Sequence, residues 1–115
     1  MQKVTAAITA TGYYVPEDIL SNKDLEQMVD TNDEWITTRT GIKERRILKK
    51  EGKGSSYLGI KACKNLIEKS DLDPKDIDLL IVATATPDMP VASTAAYIAS
   101  EIGATNAFSY DLQAA

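Results

Sequence analysis

A chain of 115 residues, 43% apolar and 26% charged, suffices for one domain or a piece of one and for a buried core. Its net charge of −4 argues against a nucleic-acid partner. No apolar run approaches the ~20 residues of a membrane helix, and the start, MQKVTAAITATG, is too polar for a signal-peptide core, so a cytoplasmic, membrane-free protein is expected. The single cysteine, Cys63, excludes an internal disulfide and a cysteine zinc site, and the lack of histidine removes the commonest general base and metal ligand, so no metal site is expected.

In chain order, the β-branched and small residues Val4 to Thr11, followed by Gly12, predict a first strand and turn. Pro16 falls in a loop. Ser21 opens a helix with Asp24 as its capping partner, and Leu25, Met28 and Val29 supply the apolar face. Thr31-Asn32-Asp33-Glu34 fits the S/T-x-x-E capping box, with Thr31 as N-cap and Glu34 reaching back. That helix runs through Ile36 and stops near Thr40-Gly41, where glycine supplies the left-handed residue.

Between Arg39 and Lys53 lie seven basic residues against two acidic ones, a net +5 that leaves −9 for the rest. Two readings stand: a solvated loop, or a patch for a phosphorylated or acidic partner. Gly52 to Ser56 read as a loop and cap. Leu58, Ala62, Cys63, Leu66 and Ile67 then form the apolar stripe of a helix, which makes Cys63 a small core residue rather than a reactive thiolate. Asp73-Pro74 marks a short helical turn. Ile77 to Thr84 reads as a strand covered on both faces, as in a parallel sheet. A small-residue helix, Ser93 to Ile102, closed by Gly103, and a last strand, Asn106 to Leu112, complete an order that predicts α/β with a mostly parallel sheet.

Candidate chemistry sits in two places. Thr31, Trp35 and Arg39 are spaced i, i+4, i+8 and drift only about 80° around a helix, so they share one stripe. An indole beside a guanidinium makes a slot for a planar ligand such as a nucleobase; alternatively Trp35 packs on the domain and Arg39 covers it. GKGSS at 52–56 has neither phosphate-loop spacing. The strand carboxyl ends, where α/β proteins gather ligands, are Thr84 to Pro90 and Leu112 to Ala115. A nucleophile just after Leu112 would sit at a helix N-terminus, yet Gln113, Ala114 and Ala115 are not nucleophiles.

The stretch DTNDEWITTRTGIKERR (30–46), preceded by YVPEDILSNKDLE (14–26) and followed by LLIVATATPD (79–88) and AFSYDLQAA (107–115), closely resembles the N-terminal part of the β-ketoacyl-acyl-carrier-protein synthase III family. The resemblance runs through essentially the whole chain, and the DxxDEWIxxRTGIxxRR block is highly specific. It implies the N-terminal portion of a thiolase-like, three-layer α/β fold with a mostly parallel sheet. Residues 1–115 would be one N-terminal thiolase-like domain, ending just before the expected nucleophile.

The family implies an acyltransferase that begins fatty-acid synthesis. It moves an acyl group from acyl-CoA to a cysteine, then condenses it with malonyl-acyl-carrier protein with loss of carbon dioxide. Coenzyme A thioester is thus a substrate, and no permanently bound cofactor is expected. By the same resemblance Trp35, Arg39 and Thr31 belong to the coenzyme A site, and the basic stretch lies near the coenzyme phosphates or the acidic carrier protein. The family's cysteine would follow DLQAA directly; Cys63 does not match it, and the family's histidine and asparagine come much later. No residue here is therefore assigned as catalytic, and the 115-residue chain alone is expected to be inactive.

Where the family often has an aromatic followed by proline, this chain has Val91-Ala92, so Val91 is expected to face the acyl pocket across a homodimer and leave room for a bulkier primer. The last strand near Tyr110 is expected at that dimer interface. The alternatives are a non-catalytic module that dimerises or binds coenzyme A, or another thiolase-fold enzyme such as a hydroxymethylglutaryl-CoA synthase.

Overall fold

The computed structural model describes residues 3 and 5–113, so the Ala114–Ala115 part of the expected nucleophile approach lies outside the described residues. The chain divides into two compact units, Val15–Gly52 and a larger one built from residues 53–113 together with the described residues up to Tyr14.

The unit Val15–Gly52 begins with strand β1 (Asp18–Ser21), which pairs antiparallel with β2 (Glu44–Ile47) in a register from Asp18↔Ile47 to Ser21↔Glu44. Neither strand was expected. Its apolar face is too thin to alternate, so pairing rather than side-chain pattern creates it. Helix α1 (Asn22–Glu26) starts where expected: the Ser21 N–H and hydroxyl donate to the Asp24 carboxylate at 2.8 and 2.6 Å, and the Asp24 N–H donates back to Ser21 Oγ at 3.2 Å.

Helix α2 (Asp33–Thr40) corrects one boundary. Its N-cap is Asn32, not Thr31: Asn32 Oδ1 accepts from the Trp35 N–H at 2.7 Å. The Asp33 N–H, the first of the helix's orphan donors, is taken at 2.7 Å by Glu26 at the end of α1. Asparagine is at least as good a cap as threonine. The exit is as expected: Gly41 has φ 71°, and its N–H donates to the Thr37 carbonyl at 2.9 Å.

In the larger unit, β3 (Leu79–Ala83) and β4 (Phe108–Leu112) pair in parallel from Leu79↔Phe108 to Ala83↔Leu112. Helix α3 (Ser55–Lys69) packs on α4 (Thr94–Ile102), and α4 packs on both strands. Ala95, Ile98, Ala99 and Ala104 form the buried centre. Asp73 caps a 3-10 turn (Pro74–Asp76) by accepting from the Lys75 N–H at 2.9 Å, and Gly103 closes α4 at φ 81°.

Cys63 is half-buried on the expected stripe, and burial pushes its thiol up, away from reactivity. Gly12 lies against α3 so closely that a Cβ there would meet the Ala62 carbonyl at 2.7 Å and the Leu66 N at 2.6 Å.

Three expectations fail. Helix α1 ends at Glu26, so Met28 and Val29 lie beyond it and stand exposed instead of extending its apolar face. Residues 5–11 form no strand: no neighbouring strand pairs with them among the described residues, and Ile8 is 88% exposed. Nor is β3 covered on both faces. Leu80 and Val82 turn toward the helical side, while Leu79, Ile81, Phe108, Tyr110 and Leu112 stand exposed on the other. The continuous apolar run suits double cover, but the described helices occupy one side only.

Candidate functional site

Helix α2 has two unlike sides. Asp33, Ile36, Thr37 and Thr40 recur at i, i+3, i+4 and i+7 and share one side of the helix. Ile36 is buried, the Thr40 hydroxyl donates to the Ile36 carbonyl at 2.7 Å, and the Thr37 hydroxyl donates to Asp33 at 3.1 Å. Trp35 and Arg39 lie on the opposite side. The Trp35 ring is half exposed, and the Arg39 guanidinium carbon stands 4.5 Å from its centroid. Arg39 is in the last turn, where the helix dipole favours a cation.

Thr31 precedes the cap and is half-buried. It joins Asp30, Asn32 and Trp35 around a hollow of about 240 Å³. The three residues expected together are thus neighbours, but their arrangement differs from a slot. A planar guest between two planes needs a gap of about 7 Å, twice a normal contact distance. At 4.5 Å the indole and guanidinium are already stacked on one another. The space beside Trp35 is the hollow on the Thr31 side.

Part of the basic stretch is strand rather than loop, since residues 44–47 form β2. Arg45 donates to Asn22, Arg46 donates to the Pro16 carbonyl at 3.2 Å and lies 3.8 Å from Glu44, and Lys49 lies 3.8 Å from Asp18. Arg45 and Arg46 thus tie β2 to residues before it, while the Arg46 and Lys49 side chains stay 42% and 63% exposed and their ion pairs add little. Lys53 belongs to the larger unit, with its ammonium 6.0 Å from the Tyr57 ring.

Asn22 is the residue that sequence reasoning missed. It is 2% exposed, and its Nδ2 donates to Asp33 Oδ1 at 2.7 Å and to the Ile42 carbonyl at 2.8 Å, with Thr37 Oγ1 further off at 3.3 Å. Its Oδ1 accepts from Arg45, and its N–H donates to the Lys43 carbonyl at 3.1 Å. Since arginine only donates and a carboxylate only accepts, the amide orientation is fixed. The Asn22 amide first, then the Thr37 hydroxyl, hold the Asp33 carboxyl below its ordinary value. Directly after Ser21, Asn22 reads as one more helix-start residue, and nothing local announces partners 11 to 23 positions away.

The strand ends of the larger unit form a second, shallower site. Ala83, Thr84, Ala85 and Leu112 border a hollow of about 190 Å³, where the Thr84 N–H donates to the Leu112 carbonyl at 3.1 Å. The loop leaving β3 is fastened to the start of α3. Ser55 Oγ donates to the Thr86 carbonyl at 2.6 Å, and Asp88 accepts from the Ser56 N–H at 3.1 Å and from its hydroxyl. Gly54, the N-cap of α3, offers no side chain, so Asp88 serves that end instead.

Val91, further along the loop, is 97% exposed. Asp111 on β4 accepts from the N–H groups of Thr94 and Ala95, both at 2.7 Å, and from the Ser93 hydroxyl at 3.1 Å. Burial alone would raise its carboxyl, but these donors outweigh it and hold it below the usual range. Among the described residues no group of three or more acidic or sulfur side chains is placed to hold a metal ion, and no helix is long and apolar enough to cross a membrane.

Comparison with known proteins accounts for the whole of this chain. No family model matches it. A beta-ketoacyl-(acyl-carrier-protein) synthase III of Porphyromonas gingivalis is 58% identical over 115 residues, which are all of this chain and 34% of that protein. The crystal structure of a synthase III of the same name from Thermus thermophilus superimposes with TM-score 0.84 at 45% identity over 95% of this chain and 33% of that one. The 3-oxoacyl-(acyl-carrier-protein) synthase III of Aquifex aeolicus gives 0.83 at 44% identity over 91% of this chain and 33% of that one. The chain spans about a third of the length of the relatives it matches.

Proposed function

Since the chain belongs along its whole length to the N-terminal part of the β-ketoacyl-acyl-carrier-protein synthase III family, we propose that α2 holds the adenine end of a coenzyme A thioester. The observation that carries this reading is the exposed Trp35 face, backed by Arg39 at 4.5 Å and bordering the hollow that Thr31 helps to line. A flat base settles on the indole, Thr31 offers a hydroxyl at its edge, and Arg39 supplies positive charge on the phosphate side. Calorimetry of the chain with coenzyme A tests it. Binding that disappears in Trp35→Ala, with none for pantetheine, which has no adenine, is the expected result; no binding by the unaltered chain refutes it.

The reaction served is the decarboxylative condensation of an acyl group, taken from acyl-CoA, with malonyl-acyl-carrier protein, the opening step of fatty-acid synthesis. The bond-making groups of that reaction are not assigned to these residues. The sequence has no histidine, and Cys63 lies mid-helix with its thiol pushed up. The 115-residue chain therefore has no condensing activity of its own, and product formed by the purified chain would overturn this. Val91, fully displayed on its loop, faces the acyl pocket of a second copy, and the β4 edge near Tyr110 lies at that homodimer contact. An acyl-CoA panel on an enzyme containing this stretch tests the Val91 assignment, with use of branched primers expected and strict acetyl preference against it.

A further inference from the structure

We infer that Asn22 is a positioning residue for the coenzyme-facing side of α2, a clamp that fixes the azimuth and both ends of the helix carrying Trp35 and Arg39. This rests on the proposed coenzyme A reading of that side. Asn22 Nδ2 has two hydrogens, and its two short contacts are Asp33, the first residue of α2, and the Ile42 carbonyl, two residues past its last. One amide group therefore grips the helix at entrance and exit.

Arg45 on β2 closes the fourth side by donating to Oδ1, so the amide cannot turn over without setting donor against donor. The unit has few fully buried apolar side chains to do the same work. In Val15–Gly52 the residues classed as buried are Pro16, Asn22 and Ile36. Apolar contact tolerates sliding and rotation, whereas a saturated, buried amide does not.

Trp35 and Arg39 lie on the side of α2 away from Asp33 and Thr37 and make no part of the clamp. If Asn22 is lost, the helix is free to roll by a fraction of a turn. The indole then leaves the line of the Thr31 hollow while the helix itself persists. Binding is lost through geometry rather than through removal of a contact.

Trp35 is the sole tryptophan, so its emission reports this side directly. The test compares the unaltered chain, Asn22→Ala, Asn22→Asp and the exchange variant Asn22→Asp with Asp33→Asn. Coenzyme A affinity, Trp35 emission with iodide quenching, and helix content by circular dichroism are read for each.

Asn22→Asp sets two carboxylates face to face, and the exchange restores a donor between positions 22 and 33 while leaving the Ile42 carbonyl unserved. The expected result is affinity weakened about tenfold in both single variants, with partial recovery in the exchange variant and helix content unchanged throughout. Affinity equal to the unaltered chain in both single variants overturns the clamp. So does loss of helix content in step with binding, which would make Asn22 a folding residue only. If the unaltered chain does not bind coenzyme A, the functional reading fails separately. The clamp is then judged by Trp35 quenching alone: a changed accessibility in Asn22→Asp that reverts in the exchange variant supports it, and no change refutes it.

Discussion

Gly59 sits inside α3 where that helix meets α4, and replacing it with alanine sets two effects of known size against each other. A Cβ at position 59 would lie 2.5 Å from Ile98 Cδ1 and 3.6 Å from Ile98 Cγ1. The first is at least 1 Å inside a normal carbon contact and the second is an ordinary one. Ile98 is 2% exposed, so its terminal methyl can yield only by a rotamer change within the core. Gly→Ala mid-helix is worth up to about 1 kcal/mol in favour, while overpacking a fixed core costs about 1–3 kcal/mol.

Gly59→Ala is therefore expected to destabilise by about 1 kcal/mol, the middle of a net range of about 0–2 kcal/mol. Ile98→Val, which deletes only Cδ1, costs about 0.5–1.5 kcal/mol alone. Together the new methyl occupies the space the old one leaves, so the double variant should lie within about 0.5 kcal/mol of the unaltered chain instead of at the sum. Urea unfolding followed by far-ultraviolet circular dichroism reads this, because α3 and α4 contribute 15 and 9 of the helical residues. Additivity within about 0.4 kcal/mol would refute the packing argument.

Asn32→Ala removes the cap of α2 and should cost about 1 kcal/mol in the stability of Val15–Gly52, seen as earlier unfolding by Trp35 emission; Thr31→Ala should cost less than half as much. Gly41→Ala meets no atom within 4 Å yet must hold φ 71°, so it should destabilise by about 1–2 kcal/mol on backbone strain alone. Below about pH 4 the unit Val15–Gly52 should loosen. Asp33 and Asp24 are held below the ordinary carboxylate value, by the Asn22 amide and the Ser21 hydroxyl respectively. The stability they add is complete above that value and is lost as pH falls through their lowered ones, so Asp33→Asn should flatten the acid limb of a Trp35 emission titration.

Long elements were legible because many residues vote on them. The α3 stripe, the small-residue α4 with its Ser93 cap and Gly103 stop, and the parallel β3–β4 pair are where periodicity and punctuation put them. Short ones were not. ERRI at 44–47 carries one apolar residue and becomes a strand only because DILS at 18–21 lies beside it. Conversely VTAAITAT has every local mark of a strand, and its described residues have no partner strand. Thr31 and Asn32 both satisfy a capping rule, and the Trp35 amide settled the contest.

At the candidate site the sequence gathered Thr31, Trp35 and Arg39, since helical spacing is local. It did not foresee that ring and guanidinium would close on each other, nor that Arg45 and Arg46 would tie β2 to residues before it. Those outcomes depend on partners up to 30 positions away.

The scarcity of apolar atoms inside Val15–Gly52 has a thermal consequence. The heat-capacity change of unfolding rises with apolar surface exposed and falls with polar surface exposed. A unit whose buried residues are Pro16, Asn22 and Ile36 should therefore show a shallow stability curve. The larger unit, centred on Ile98 and three alanines, should show a more strongly domed one. Cooling would weaken the alanine-lined centre and leave the hydrogen-bonded one almost untouched. The part of the chain that presents Trp35 would then hold its shape best in the cold.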